Sequence, residues 1–228
     1  MKNIFLFSLL LPILFVFSPG CRNVQEQLKE ASIPSYKPTN FYAPGVPDSV
    51  QRVAVLPLYY APYEDEYLAV LEKSFQNELT KRTLFEIVMV DREDLDMLFH
   101  LRQVSSSEEL PYEFFNRLNQ RYHVDAVLFT DLTYFEAYKP LGVGVRSKLV
   151  GIDGPVYWAF DDIFDAGSLP VAVGAKRFTL GNSHNPFPLD TGNAGLQGPE
   201  LFTKYVAFEM YGTLNREKQQ VIDVEGDV

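Results

Sequence analysis

Between Arg52 and Val90 the hydrophobic period changes twice, and this restricts the chain to folds in which strands and helices alternate. Val53-Ala54-Val55-Leu56-Pro57-Leu58 is a short apolar run ended by proline, as in a buried strand. From Glu64 to Arg82 the apolar residues Leu68, Leu71, Phe75 and Leu79 fall on one helical face instead. Phe85 to Val90 returns to strand character. Asp91 then stands where a helix N-cap belongs, ahead of a stripe of Leu95, Leu98, Phe99 and Arg102. Ser105-Ser106-Ser107 is expected to break that helix, and a further one is predicted from Glu108 to Tyr122, with Tyr112, Phe115, Leu118 and Tyr122 on its apolar face.

Val124 to Phe135 is rich in β-branched and aromatic residues and reads as strand. Val143 to Ile152 and Val156 to Phe164 flank the turn dipeptide Asp153-Gly154, which predicts a hairpin. Its second strand aligns Trp158, Phe160 and Phe164 on one face, a spacing that favours core over a ligand groove. A helical piece over Leu169 to Phe178 precedes a Gly-, Asn- and Pro-dense loop from Leu180 to Gly198. Pro199 then opens a last helix with Leu201, Tyr205, Phe208 and Leu214 on or near one face. The expectation is a single α/β (α+β) domain over 51–216, a mixed β-sheet flanked by helices, followed by an acidic tail over 217–228.

The amino terminus carries a different message. Lys2 precedes an apolar run from Ile4 to Phe17, broken by Ser8 and Pro12, and then come Ser18, Pro19, Gly20 and Cys21. This is the outline of a secretory signal peptide over 1–20, and at 14 residues the run falls short of the roughly 20 that span a bilayer. Arg22 to Val50 is mostly polar, holds Pro34, Pro38, Pro44 and Pro47, and is expected to be an extended tether. With 46% apolar residues and 14% aromatics, the 228-residue chain has ample material for a core. A net charge of −10 disfavours nucleic acid as a partner, and one cysteine with three histidines leaves no Cys/His set for a structural zinc.

Gly20 directly before the lone Cys21 resembles the lipobox of bacterial lipoproteins, which implies that Cys21 is the lipid attachment residue and the new amino terminus. The chain departs from that pattern at Ser18, where the family prefers Leu, Val or Ile. The resemblance also implies that Arg22, in place of an Asp, favours the outer membrane over the inner. Arg52 to Pro57, the helix holding Phe75-Gln76-Asn77-Glu78-Leu79, Phe85-Glu86-Ile87-Val88 and Val124-Asp125-Ala126-Val127-Leu128 together resemble the envelope lipoproteins related to the curli secretion-channel subunit CsgG. The amino-terminal domain of TolB and the activator LpoB are similar in plan. The likeness extends through Lys148 to Asp153 and Val156 to Ala159 and covers about Arg52 to Ala166. It implies an envelope role without chemistry of its own, and an Ala-Asp-x-Val-Leu-type strand at the centre of the sheet.

Candidate chemistry is sparse. Asp161, Asp162 and Asp165 with Asp131 form the densest acidic set, but Asp161 and Asp162 alternate across a strand, and no Asp/Gly ligand loop accompanies them. His184 is a possible general base without an identifiable partner. No nucleophile elbow, phosphate loop or zinc-protease helix occurs, so no catalytic residue, cofactor or metal is expected. The features predict an exported lipoprotein facing the periplasm, held to the membrane by its lipid and acting as a non-enzymatic scaffold or accessory subunit through an envelope protein partner or self-association. A lipid-anchored module for a small ligand, with the 180–198 loop as its lid, is the alternative; a hydrolase using His184 is third.

Overall fold

The computed structural model describes residues 32–62, 67–182 and 193–216. The chain divides into two compact units, Met1–Ile33 and Pro34–Val228, and the fold described here belongs to the second. Six strands build one sheet: β1 (Phe41–Tyr42), β2 (Arg52–Val55), β3 (Glu86–Met89), β4 (Ala126–Glu136), β5 (Gly142–Gly151) and β6 (Val156–Asp165). Their order is β1-β6-β5-β4-β2-β3. β4 pairs parallel with β2 and antiparallel with β5, and β2 pairs parallel with β3, so the sheet is mixed. The expected α/β class and the central position of the Val124 to Leu128 segment are both present in the structure.

Among the described residues, five α-helices flank the sheet: α1 (Leu68–Thr80), α2 (Arg92–Phe99), α3 (Phe114–Tyr122), α4 (Leu169–Asn182) and α5 (Pro199–Tyr211). Apolar side chains segregate into two cores. The larger joins Val53, Val55, Leu128 and the aromatic face of β6 to α1, α4 and α5. The smaller joins Ala54, Val127 and Phe129 to Leu95, Phe99, Phe114 and Leu118 of α2 and α3. Odd and even residues of one strand therefore feed opposite cores, and the molecule has three layers over its β2–β4 half. Among the described residues, no helix is long and apolar enough to cross a membrane.

The Leu68, Leu71, Phe75, Leu79 face of α1 is buried as its period requires. Trp158 is buried, stacks 6.0 Å from Phe160 and 6.2 Å from Tyr211, and donates Nε1–H to Thr213 Oγ1 at 2.9 Å, which satisfies its one donor. Gly154 takes φ +98° in the hairpin turn, a conformation open to glycine without steric cost.

Four expectations need correction. The segment from Tyr36 to Val50 is folded onto the domain: Tyr36 packs its ring edge on Phe164 at 5.3 Å, β1 pairs with β6, and Val46 and Val50 are buried. Three prolines did not keep it extended in solvent, because its apolar side chains find places in the core. The 108–122 helix starts only at Phe114, since Pro111 and the left-handed Glu113 precede it, and its buried face is Phe114 and Leu118 while Tyr112 is 85% exposed. Helix α4 runs on to Asn182, past the expected end at Phe178. In α5 the buried stripe includes Phe202, Tyr205, Val206 and Met210, leaving Leu201 and Phe208 half-exposed, with Arg82 stacked on Phe208 at 5.0 Å.

Helices α4 and α5 meet where Gly174 faces Tyr205. A Cβ at 174 would lie 2.3 Å from the Tyr205 hydroxyl, and that buried hydroxyl has no hydrogen-bond partner. Gly174→Ala should therefore cost about 1–3 kcal/mol by overpacking. Tyr205→Phe should be neutral or stabilising, since it removes an unsatisfied group, and should recover part of the Gly174→Ala loss in thermal melts, the ring Cζ still lying 2.8 Å from the added Cβ. A double variant no more stable than Gly174→Ala would contradict this packing.

Candidate functional site

α2 and α3 cover the sheet over β2, β3 and the first half of β4, and among the described residues no helix lies above the same face of β5 and β6. Here the side chains of β4, β5 and β6 stand in rows fixed by register. The central row is Asp131, Arg146, Asp161.

Asp131 is 3% exposed and sits under the loop that connects α2 to α3. Its Oδ2 accepts from Ser105 Oγ at 2.9 Å and from Ser106 Oγ at 2.8 Å, and the Ser106 amide donates to both carboxylate oxygens at 3.0 Å. Ser105 Oγ also lies 3.0 Å from Ser107 Oγ. Burial raises the Asp131 pKa above the ordinary carboxylate value; the Ser106 and Ser105 hydrogen bonds and the nearby Arg146 charge oppose that rise without cancelling it. The three serines, expected only to break a helix, instead turn a loop whose donors converge on one buried carboxylate. Their spacing from Asp131 holds no sequence signal for this contact, which spans 25 residues or more. Lys148 Nζ donates to the Ser106 carbonyl at 2.9 Å and ties the same loop to β5.

The other candidate acids do not converge with Asp131 on a common point. Arg146 donates from Nε to Asp161 Oδ2 at 2.8 Å on the bare face. Asp162 points to the opposite face, as its alternation requires, and accepts from the Tyr36 hydroxyl at 2.7 Å; burial and this partner push the Tyr36 pKa up to about 12. Asp165 accepts from the Gly167 amide at 2.7 Å and fixes the turn after β6. Among the described residues, no group of three or more His, Cys, Asp or Glu is placed to hold a metal ion. Trp158, Phe160 and Phe164 lie in the larger core. Cys21 and His184 lie outside the described residues, as do the middle of the 180–198 loop and the 217–228 tail.

Two shallow clefts open on the bare side. One of about 450 Å³ is lined by Asn40, Tyr42, Ser107, Lys148, Ala159 and Asp161. The other, about 500 Å³, lies beyond the end of β2 between Tyr59, Tyr60, Ser105, Asp131 and Tyr134. They meet at Ser107 and Arg146.

No protein-family model and no curated protein matches the chain. Solved structures do match. Lipoprotein GNA1162 from Neisseria meningitidis is 17% identical with a TM-score of 0.41, covering 58% of this chain and 99% of that one. The PelC dodecamer from Paraburkholderia phytofirmans is 12% identical with a TM-score of 0.37, covering 81% of this chain and 95% of that one. Protein CT253 from Chlamydia trachomatis is 17% identical with a TM-score of 0.39, covering 69% and 94%. At these identities and scores the likenesses assign no function to this chain.

Asp131→Asn keeps the size but sets an amide N–H₂ against hydroxyl and backbone donors, so it should cost about 1–3 kcal/mol. The sign of the pH effect follows from the raised native pKa. The native state holds this proton more tightly than the unfolded chain, so the group's contribution is fully present below about pH 4 and is lost as pH rises through its native value. In denaturant titrations the deficit of Asp131→Asn should be largest near pH 4 and narrow toward pH 7. A deficit that widens with pH would mean a depressed pKa.

Proposed function

We propose that the chain is a lipid-anchored, periplasm-facing protein of the bacterial envelope, residing in the outer membrane and acting without chemistry of its own. Its role is that of a scaffold or accessory subunit in envelope assembly or secretion. The observation that carries this is the single cysteine, Cys21, placed after Gly20 at the end of a 14-residue apolar run behind Lys2. The CsgG-like pattern of Arg52 to Pro57, Phe85 to Val88 and Val124 to Leu128 supports the envelope setting. Engagement of Asp131, Asp161, Asp162 and Asp165 in contacts within the fold supports a structural use of the acidic residues.

The two clefts that meet at Arg146 favour a second reading, a lipid-anchored module for a small ligand. A compound that raises the melting temperature of the isolated protein without any partner would favour it.

Cys21→Ser tests the anchor. The variant should move from the membrane to the soluble fraction and lose fatty-acid labelling, with its melting temperature unchanged. Retention in the membrane at the unmodified level would refute lipid anchoring at this residue.

A further inference from the structure

β3 is an outer strand with one edge unpaired. Glu86 donates its amide to the Gln51 carbonyl at 2.8 Å and Val90 donates to that of Val55 at 3.0 Å, so the alternate residues Ile87 and Met89 turn their N–H and C=O away from β2. Among the described residues, no hydrogen bond engages those four groups. The edge is apolar on both faces: Ile87 is half-buried against the larger core, Val88 against the smaller, and Glu86 is its one charged residue. Such an edge is a template for a further strand.

We propose that Val221-Ile222-Asp223-Val224 of the same chain pairs in parallel with β3 along this edge, with Val221 beside Ile87 and Ile222 beside Val88. The inference goes beyond the functional reading above and does not depend on the lipid anchor. Arg216, the last described residue, fixes where the segment sets out. It donates from Nε to the Leu84 carbonyl at 3.1 Å, from Nη2 to the same oxygen, and from Nη1 to the carbonyls of Pro47 and Val50 at 2.7 and 2.8 Å. Its backbone is thus held within one arginine side chain of the residue two positions before β3. Glu217-Lys218-Gln219-Gln220 follows, all polar, and extended at about 3.3 Å per residue it covers about 13 Å. With neighbouring strands about 4.8 Å apart, that is enough to round the foot of β3 and bring Val221 to its outer side.

Pattern and topology agree with this placement. Adjacent residues of a strand point to opposite faces, so Val221 and Ile222 put one apolar side chain on each, as Ile87 and Val88 require. Asp223 then falls beside Met89, which is 37% exposed. A segment leaving from Leu84 runs in the direction of β3, and β6 shares that direction because two antiparallel pairings separate it from β4. The path from β6 through α4 and α5 to the edge of β3 is therefore a parallel crossover. It moves across the sheet as β2 does to β3, with its helices on the same face as α1, and so has the same hand. A strand from any other chain would have to displace the segment to pair with β3.

Residue-resolved hydrogen exchange on the full chain reads this edge directly. The Ile87 and Met89 amides should be protected, and Ile222→Asp should speed their exchange about tenfold or more while leaving Val90, which is bonded to β2, unchanged. Unprotected rates at 87 and 89 in the unsubstituted chain, or equal protection with Ile222→Asp, would overturn the pairing. Met89→Cys with Asp223→Cys, treated with a short bismaleimide, should give a single-chain product whose linked peptides hold positions 89 and 223. Ile163→Cys with Asp223→Cys, placed at the far side of the sheet, should give none. Equal linkage from 163, or linkage of 89 to 223 of a second chain, would overturn pairing within one chain.

Discussion

Burial of β4 on both faces from Ala126 to Leu132 is the constraint from which the rest of the architecture follows. A strand with no solvated face must satisfy its backbone through neighbours on each edge, and it finds β2 on one side and β5 on the other. Parallel pairing with β2 cannot be closed by a hairpin; it needs crossovers, and those crossovers carry the helices. The step from β2 out to β3 carries α1 to one face, and the return from β3 past β2 to β4 carries α2 and α3 to the other. Asp125 locks the start of this arrangement, accepting the Gln51 and Arg52 amides at 2.9 Å each. Beyond β4 the connections are antiparallel and tight, so no crossover helix is available to cover the far half of the α2/α3 face. The bare surface is thus a result of topology.

This division also separates two uses of charge. On the covered side, polar groups are few and closely partnered, as with Asp131 beneath its serines. On the bare side, Arg146 and Asp161 remain about one third to one half exposed, and a pair so placed contributes little to folding. Its position in mid-strand therefore matters more for what can approach the sheet than for stability.

The elements that could be read from residues alone were those whose partners are dictated by period. The stripe of α1, the β5–β6 hairpin and the aromatic face of β6 each bury what their spacing says they should. The misreadings came where a distant part of the molecule decided the outcome. Tyr36 looks like a tether residue until Phe164 and Asp162 are beside it, 126 or more residues away in sequence. Tyr112 belongs to an apolar stripe only if the helix starts early, and Glu113 in the left-handed region prevents that. The serine loop around Asp131 was illegible because each hydroxyl finds its acceptor through tertiary placement, and a run of serines is equally at home in a surface turn.

The irregularity in β4 between Leu132 and Tyr134 has a bearing on how the strand's length can vary. Leu132 pairs with Val145 toward the core, Tyr134 pairs with Gly144 on the bare side, and Phe135 pairs with Val143 toward the core again, so Thr133 is the one residue without an opposite number. Its loss would leave both halves of the strand in phase. Loss of any residue from Ala126 to Leu132 would turn one flank of β4 inside out, exchanging the groups that face α1 and α5 with those that face α2 and α3. Thr133 is therefore the position at which this central strand can tolerate a change of one residue in length, and single-residue deletions in related chains should collect there.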